Sequence, residues 1–276
     1  MTSTTADKRR RFAELHRAPG CFVMPNPYDA GSAKYLASLG FPAIATSSAG
    51  MAWAMGRRDG AVRRTEALGH IAELAAAVSI PLNADFEAGF AHDAEGVYEN
   101  VRLCVGAGVA GLSIEDYPGG DDAALYAVSE AVERVRAARA AIDATGETVL
   151  LTARSEAIWR KDGGGLPEAL RRLEAYAEAG ADVLFAPGVR TAADVSEVVR
   201  VAGKLPVNVV MGAPGLTQRE LEDLGVKRIS TGGALARVAW GAMMRAAADI
   251  AEHGRFDTLT GVPPAGEIES AFVTGV

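Results

Sequence analysis

Residues 105–114 read VGAGVAGLSI, and this stretch contains the junction that decides the fold: a helix end, a glycine and a short apolar run. The same junction recurs at residues 37–44 (ASLGFPAI), 177–185 (AEAGADVLF) and 222–230 (EDLGVKRIS). A glycine just past a helix end adopts the left-handed conformation that caps the helix, so each junction predicts a helix followed by a strand. Strands that alternate with helices are typical of a parallel sheet.

Eight such strand-like runs alternate with helical stretches along the 276 residues. The runs cover residues 21–24, 42–47, 81–85, 111–115, 148–154, 182–186, 206–210 and 228–231. The helical stretches cover residues 29–39, 64–78, 94–107, 127–144, 166–179, 192–202, 218–224 and 234–252. Eight units favour a closed (β/α)₈ barrel of the TIM type over an open doubly wound sheet.

The domain organisation follows from the absence of any linker rich in Ser, Pro and Gly. We therefore predict a single (β/α)₈ barrel domain over residues 1–276. Residues 258–276 contain Pro263-Pro264 and enough helical sequence at 267–272 for one or two turns. We expect this segment to dock on its own barrel or on a neighbour.

Composition and charge exclude several classes of protein. The 35 acidic residues outnumber the 28 basic ones, for a net charge of −7, whereas nucleic-acid binders usually carry a basic face. Two cysteines cannot build a disulfide scaffold or a four-cysteine zinc site. No run of 18 apolar residues exists, and no signal-peptide stretch follows the basic cluster at residues 8–11. We predict no nucleic-acid or membrane partner, a cytoplasmic location, and a short N-terminal surface helix capped by Ser or Thr.

Polar side chains collect where the predicted strands end. The carboxyl ends of barrel strands meet at one mouth, where the active sites of such barrels lie. The side chains expected at this mouth are those of Ser47, Ser48, Asp85, Glu87, Glu115, Asp116, Arg154, Glu156, Asn208, Ser230 and Thr231.

Three of these acids form a candidate metal site. Asp85 and Glu87 are two residues apart, a spacing that points both side chains to one face of a strand, and Glu115 ends the next strand. Neighbouring anions repel unless a cation or a proton lies between them. An all-oxygen cluster suits a hard cation such as Mg²⁺. The alternative is that these acids cap helices or pair with arginines, and for Asp116 alone this alternative is favoured.

Arg154, Ser47 and Ser48 are candidate substrate-binding residues. Arg154 ends the apolar run VLLTAR and can hold a carboxylate through two parallel hydrogen bonds, or it can pair with Glu156 or the acidic cluster. The serine hydroxyls and the nearby backbone N–H groups can bind a carboxylate or stabilise an oxyanion. The alternative for the serines is a plain strand-to-loop turn.

Five strings, in this order and spacing, resemble the isocitrate lyase/phosphoenolpyruvate mutase superfamily. They are TSSAGMAWAMGRRDG (46–60), LNADFEAGF (82–90), GVAGLSIED (108–116), LLTARSEA (150–157) and YAEAGADVLFAPG (176–188). The run PVNVV at residues 206–210 resembles the short, methylisocitrate-lyase-like branch. The resemblance implies a (β/α)₈ barrel whose C-terminal helix is exchanged between subunits of a homodimer or homotetramer. It also implies Mg²⁺ (or Mn²⁺) and a small 2-oxo or 2-hydroxy carboxylic acid as substrate.

The resemblance also implies roles for individual residues. As metal ligands it implies Asp85 directly, and Glu87 and Glu115 through metal-bound water. As substrate-binding residues it implies Ser47, Ser48, Ala49, Asp85, Arg154 and Asn208. As catalytic residues it implies Arg154, Ser47 and Asp59, the last of which matches the acid of the family's L-G-x-x-D string.

One loop departs from the family pattern. The lyases carry a K-K-C-G-H gate loop whose Cys handles a proton, whereas residues 117–126 read YPGGDDAALY. The Lys and Asn of the phosphonate enzymes are missing from this loop as well. What remains is a metal, a carboxylate clamp and enolate stabilisation. The first hypothesis is therefore a Mg²⁺-dependent carbon–carbon lyase or decarboxylase that acts on a small 2-oxo or 2-hydroxy dicarboxylate through a metal-stabilised enolate.

Two other functions stay open at this point. One is a phosphonopyruvate-type C–P mutase or hydrolase, for which Arg57, Arg58 and Arg160 are the candidate phosphonate partners. The other is a non-catalytic protein that binds 2-oxo acids.

Overall fold

Eight short parallel strands form a nearly closed barrel, as the sequence predicts. The computed structural model describes residues 3–120 and 124–273. The strands are β1 (Phe22–Met24), β2 (Ile44–Ala45), β3 (Leu82–Asp85), β4 (Gly111–Glu115), β5 (Leu150–Arg154), β6 (Val183–Phe185), β7 (Val207–Val210) and β8 (Arg228–Ser230). They pair in the order β1-β8-β7-β6-β5-β4-β3-β2. Every strand lies inside one of the predicted runs.

Helices surround the barrel and connect successive strands. They are α1 (Thr5–Arg17), α2 (Ala30–Ser38), α3 (Ser48–Ala54), α4 (Arg64–Ala77), α5 (Ala94–Gly106), α6 (Val128–Asp143), α7 (Gly165–Glu178), α8 (Ala192–Ala202), α9 (Gln218–Asp223), α10 (Ala234–His253) and α11 (Ala265–Val273). The α11 helix covers the turns predicted at residues 267–272. The α3 helix replaces the strand-to-loop turn considered for the serines after β2, because Ser47 caps a helix there.

The side chain of Asn26 links the ends of β1 and β2 through hydrogen bonds. Its side-chain amide donates to the carbonyl of Thr46 at 2.7 Å, and its oxygen accepts from the N–H groups of Thr231 and Gly232, each at 2.9 Å. The backbone N–H of Ala45 also donates to the carbonyl of Pro25 at 3.1 Å. One buried side chain thus joins the ends of β1, β2 and β8.

The α1 helix packs across the N-terminal ends of several strands. Thr4 caps it, as predicted, but Lys8 and Arg9 of its basic cluster are buried rather than on the surface. The Lys8 ammonium donates to the carbonyls of Ala75 and Val78, so the buried cation is hydrogen-bonded. Phe12 is fully buried among residues at the starts of the strands.

The C-terminal helices leave an apolar surface uncovered. Ala236 is the buried residue of α10, and Trp240, Met243 and Met244 of this helix are exposed. The α11 helix packs on α2 of its own chain, with the Phe272 ring against Gly31. The α11 helix thus docks on its own chain, one of the two arrangements expected for residues 258–276, and residues 274–276 lie outside the described residues. Within residues 3–120 and 124–273, no helix has the length and apolar character that a membrane crossing requires.

Gly111 provides a test of the packing at the start of β4. A Cβ at this position would lie 2.6 Å from the Phe12 ring and 2.7 Å from the Asn83 side chain. We expect Gly111→Ala to lower the free energy of unfolding by about 1–3 kcal/mol, the usual effect of overpacking a core. Urea denaturation measures this.

Gly69 of α4 is the matched control, because its Cβ would meet nothing within 4 Å. Gly69→Ala is expected to raise the free energy of unfolding by about 0.5–1 kcal/mol through helix propensity. Equal effects of the two alanines would contradict this account of the packing.

Candidate active site

A cavity of about 430 Å³ opens at the carboxyl ends of the strands. Its wall includes seven of the nine predicted site residues, namely Ser47, Ser48, Ala49, Asp59, Asp85, Arg154 and Asn208. Glu87 and Glu115 are not part of the wall, although the charge of Asp85 acts on both carboxyl groups. The predicted residues therefore converge on one mouth, with these two acids behind its surface.

Arg154 is the electrostatic centre of this mouth. Its Nη1 lies 3.3 Å from Glu115 Oε2 and 3.5 Å from Asp85 Oδ1, and its Nε donates to Glu156 Oε1 at 2.5 Å. Burial lowers the pKa of this guanidinium, but the charges of the three carboxylates outweigh the burial and raise it overall. Arg154 therefore remains a cation.

Three carboxyl groups at this mouth, those of Glu87, Glu115 and Asp59, have raised pKa values. Burial, followed by the charges of Asp85 and Asp59, raises the pKa of Glu87 to about 8. Burial raises the pKa of Glu115 as well, against the opposing charge of Arg154. Asp59 has a raised pKa through desolvation and the charge of Asp85, although a hydrogen bond with Ser48 opposes the rise. One guanidinium does not neutralise this group of acids.

The position of Glu87 corrects one step of the sequence argument. The β3 strand ends at Asp85, so strand alternation does not govern Glu87. The backbone of Glu87 instead has φ +46°, in the left-handed region that residues other than glycine seldom occupy. Such strain is typical of functional sites, where the surrounding structure holds the residue in place.

The fit of this site to a divalent cation rests on its donor atoms. Within residues 3–120 and 124–273, no three His, Cys, Asp or Glu side chains are already arranged as a metal site, and Arg154 contacts Asp85 and Glu115 instead. The donors are nonetheless all carboxylate oxygens, which hard cations prefer. Among the described atoms, the buried Oε1 of Glu87 has no hydrogen-bond partner. This set of ligands therefore fits Mg²⁺: all of its ligand atoms are carboxylate oxygens, its negative charge is in excess, and one of its oxygens has no hydrogen-bond partner.

Ser47 and Ser48 form hydrogen bonds at the start of α3, Ser47 through its side chain and Ser48 through its backbone. The Oγ of Ser47 accepts from the Gly50 N–H at 3.2 Å and so caps the helix. The backbone N–H of Ser48 donates to Asp85 Oδ2 at 2.9 Å, and the Asp85 N–H donates to Thr46 Oγ1 at 2.8 Å. These bonds fix the ends of β2 and β3 relative to each other and aim one backbone donor at the Asp85 carboxylate.

Asn208 lies in the cavity wall, but its amide is already engaged. It accepts from Arg228 Nε at 2.8 Å and donates to Ser230 Oγ at 3.0 Å. Arg228 is 1% exposed and also donates to Thr152 Oγ1 at 2.9 Å. Burial lowers the pKa of Arg228 to about 9. Asn208 is thus held rigidly by a buried cation.

Asp116 has the structural role that the sequence favoured for it. One carboxylate oxygen accepts from the Glu156 N–H at 2.8 Å. The other accepts from the Tyr176 hydroxyl at 2.7 Å and from Arg172 at 3.1 Å. Asp116 thus ties the segments after β4 and β5 to α7.

Sequence reasoning missed several residues of the cavity wall. The Phe185 and Trp159 rings lie 5.3 and 5.6 Å from the Arg154 guanidinium carbon. Arg190, in the loop after β6, and Arg237, in the first turn of α10, also line the cavity. The only sequence signal for these two arginines was their position, several residues after the predicted ends of strands β6 and β8.

Comparisons with known proteins identify relatives in sequence and in fold. A family model described as phosphoenolpyruvate phosphomutase matches residues 12–251. A Burkholderia cenocepacia structure, provisionally assigned as a lyase/mutase, superposes with a TM-score of 0.93 at 44% identity and covers 98% of each chain. The 2,3-dimethylmalate lyase of Eubacterium barkeri is 32% identical over 80% of this chain and 77% of its own. An oxaloacetate decarboxylase of Rhodopseudomonas palustris is 30% identical over 72% of this chain and 62% of its own.

The raised pKa of Glu87 predicts how stability depends on pH. Between its ordinary value of 4.5 and about 8, the folded carboxyl keeps a proton that the unfolded chain releases. The free energy of unfolding of the protein in chelator is therefore expected to fall as pH rises from 5 to 8. Glu87→Gln is expected to make this fall shallower, as urea denaturation at several pH values will show.

The control for this prediction is Glu252→Gln, which removes an exposed carboxylate at the end of α10. It is expected to leave the pH dependence as in the wild type. A Glu87→Gln protein whose stability falls as steeply as that of the wild type would show that Glu87 ionises normally in the fold.

Proposed function

Since the chain belongs to the phosphoenolpyruvate mutase/isocitrate lyase superfamily, we propose that it is a divalent-metal-dependent carbon–carbon lyase or decarboxylase. Its substrate is a small 2-oxo or 2-hydroxy dicarboxylate. The observation that carries the proposal is that Arg154, the Ser48 backbone and the Asp85 carboxylate meet at the wall of one cavity. The relatives named for dimethylmalate and oxaloacetate support this substrate class.

In the proposed reaction, the chain's own residues bind and orient the acid. Arg154, whose Nε and Nη1 already face Glu156, Asp85 and Glu115, offers its remaining N–H groups to the substrate carboxylate beside the oxo group. The residues at the start of α3, Ser47 to Ala49, form the adjacent wall. Asp85 would hold Mg²⁺ directly, with Glu87 and Glu115 around it, and the bound ion would supply positive charge for the oxo oxygen.

The proton that completes the reaction needs a carboxyl group with a raised pKa. When a 2-oxo dicarboxylate loses its C4 carboxylate as carbon dioxide, the electron pair of the C3–C4 bond stays on the three-carbon fragment, which must then take a proton at C3. Asp59 reaches the cavity, and desolvation and the charge of Asp85 raise its pKa. We assign Asp59 as the group that holds this proton, because a raised pKa brings a carboxyl closer to the working pH.

The carbon–phosphorus alternative has less support from the cavity. Arg57 makes a two-point ion pair with Glu66, at 2.5 and 2.7 Å. Arg160 stacks on the Tyr117 ring at 3.4 Å. Neither of them, nor Arg58, lines the cavity. The cations proposed for a phosphonate therefore lie away from the substrate space.

The first experiment is a coupled assay of pyruvate release with Mg²⁺ and with a chelator, in which phosphoenolpyruvate is measured as well, because a phosphonopyruvate mutase would form it instead of pyruvate. The substrates are oxaloacetate, methylisocitrate, dimethylmalate and phosphonopyruvate. We expect chelator-sensitive turnover of one of the first three. Turnover of phosphonopyruvate alone would overturn the proposal in favour of C–P chemistry. Binding of 2-oxo acids without turnover of any of the four would support a binding protein.

Asp85→Ala tests the metal assignment independently of turnover. We expect this variant to lose the Mg²⁺-dependent binding of pyruvate, measured by calorimetry, since its carboxylate is the proposed direct ligand. Asp162→Ala, which removes an exposed carboxylate in the loop before α7, is the matched control and should bind as the wild type does. Unchanged pyruvate binding by Asp85→Ala would refute the assignment.

We also propose that the chain forms a homodimer or homotetramer through α10. Trp240, Met243 and Met244 follow the i, i+3, i+4 spacing of one helix face, and all three are exposed in the single chain. A surface helix normally turns such a stripe toward a core. A second copy of the chain would cover it.

Met244→Glu tests this interface. Light scattering should show an oligomer for the wild type and a smaller species for Met244→Glu, because an interface charge without a partner is strongly unfavourable. Leu103→Glu, at an exposed leucine of α5, is the matched control and should leave the mass unchanged. A monomeric wild type, or a Met244→Glu protein of unchanged mass, would rule out this interface.

A further inference from the structure

The cavity has two sides of opposite charge. Asp59 and Asp85 lie on the side formed by the residues after β2 and β3, where Glu87 and Glu115 add further acid behind the wall. The wall on the side of β6, β7 and β8 contains no acidic side chain among the described residues and presents arginines instead. A ligand that spans this cavity therefore meets carboxylates at one end and guanidinium groups at the other.

Two of these guanidinium groups are available for a ligand. Arg190 and Arg237 are both exposed and both line the cavity. In the part of the chain that the structure describes, no acidic side chain pairs with either of them. Arg154 is different, since Asp85, Glu115 and Glu156 already surround it. Arg190 and Arg237 thus carry positive charge that no acidic side chain of the described residues neutralises.

A buried arginine, Arg228, adds positive charge to this side of the cavity. Arg228 is 1% exposed and lines the cavity, and its partners are the neutral side chains of Asn208, Thr152 and His16. A buried charge without a counter-ion is unfavourable in a low-dielectric interior. An anion in the cavity would relieve this imbalance.

The backbone on this side also favours an anion. The 20-residue helix α10 begins with Gly233 as its N-cap, without a side-chain cap bond, and Gly232, Gly233 and Ala234 line the cavity. The first N–H groups of a helix carry partial positive charge toward a ligand at this end. In barrels of this type, the loops after strands 7 and 8 commonly bind anionic groups.

We propose that Arg190 and Arg237 bind the second, distal carboxylate of the substrate and thereby select dicarboxylates over monocarboxylic 2-oxo acids. The inference rests on the proposed function, which places the oxo group and its neighbouring carboxylate at Arg154 and Asp85. Two fixed anionic ends set the orientation of the substrate across the cavity. The two arginines act on affinity and not on the rate of bond cleavage, because a carboxylate that leaves as carbon dioxide loses the charge that they bind.

The test compares two acids of equal length, 2-oxoglutarate and 2-oxovalerate, which differ only in the distal carboxylate. Pyruvate, which lacks a distal group, reports on the Arg154 end alone. Calorimetry with Mg²⁺ measures the three affinities for the wild type, Arg190→Gln, Arg237→Gln and Arg245→Gln. Arg245 is the matched control, because it is exposed on α10 but does not line the cavity.

We expect the wild type and Arg245→Gln to bind 2-oxoglutarate more tightly than 2-oxovalerate. Arg190→Gln and Arg237→Gln are each expected to weaken 2-oxoglutarate binding by about tenfold or more, the usual effect of losing a charged hydrogen bond. Their affinities for 2-oxovalerate and pyruvate should not change.

The possible failures are distinguishable. If the wild type binds pyruvate but shows no preference for 2-oxoglutarate, or if the variants weaken all three acids equally, the distal site is wrong and the proposed function stands. If the wild type binds none of the three acids, the proposed function fails and the inference fails with it.

Discussion

The ion pairs of Arg154 with its neighbouring carboxylates are the interaction on which the mouth of the barrel depends. Parallel strands bring Asp85, Glu115 and Arg154 to one edge because β3, β4 and β5 are adjacent and each ends at one of these residues. In this half-buried setting the acids would repel one another without a cation between them. Arg154 supplies one positive charge, yet burial and, after it, the neighbouring carboxylates raise the pKa values of Glu87 and Glu115. This excess of carboxyl groups over guanidinium groups supports the cation site that we propose.

The sequence predicts the barrel well because its signals are local. A glycine after a helix and an apolar run before a polar residue each depend on a few neighbours, and all eight strands were found this way. Predictions that needed precise backbone geometry were less reliable. Glu87 does not follow strand alternation, because its backbone turns into the left-handed region just past β3. The α3 helix was missed, since a seven-residue helix capped by Ser47 has too few turns for a periodic signal.

The sequence pattern could not predict contacts between residues that are distant in sequence. Asn208 could be placed at a strand end, but its engagement by Arg228 depends on the pairing of β7 with β8. His16 is neutral over the physiological range, because burial and the charge of Arg228 lower its pKa to about 3. Its Nδ1 faces the Phe12 carbonyl at 2.8 Å, so its Nε2 is left to accept from Arg228. The N-terminal helix thereby supports the floor of the cavity.

The loop after β4 bears on which reaction this mouth performs. In a retro-aldol or Claisen-type cleavage, a group on the departing fragment must lose or gain a proton, which is the task of the gate-loop cysteine in the lyases that the chain resembles. Carbon dioxide departs from a carboxylate without such a transfer. In this chain the Tyr117 hydroxyl donates to the Gly120 carbonyl, and Arg160 covers the Tyr117 ring. The phenol is therefore engaged within the loop rather than offered to a substrate. Because residues 117–126 contain no Cys, Lys or His, the function that we propose for this mouth is better served by decarboxylation than by cleavages that need a gate-loop proton transfer.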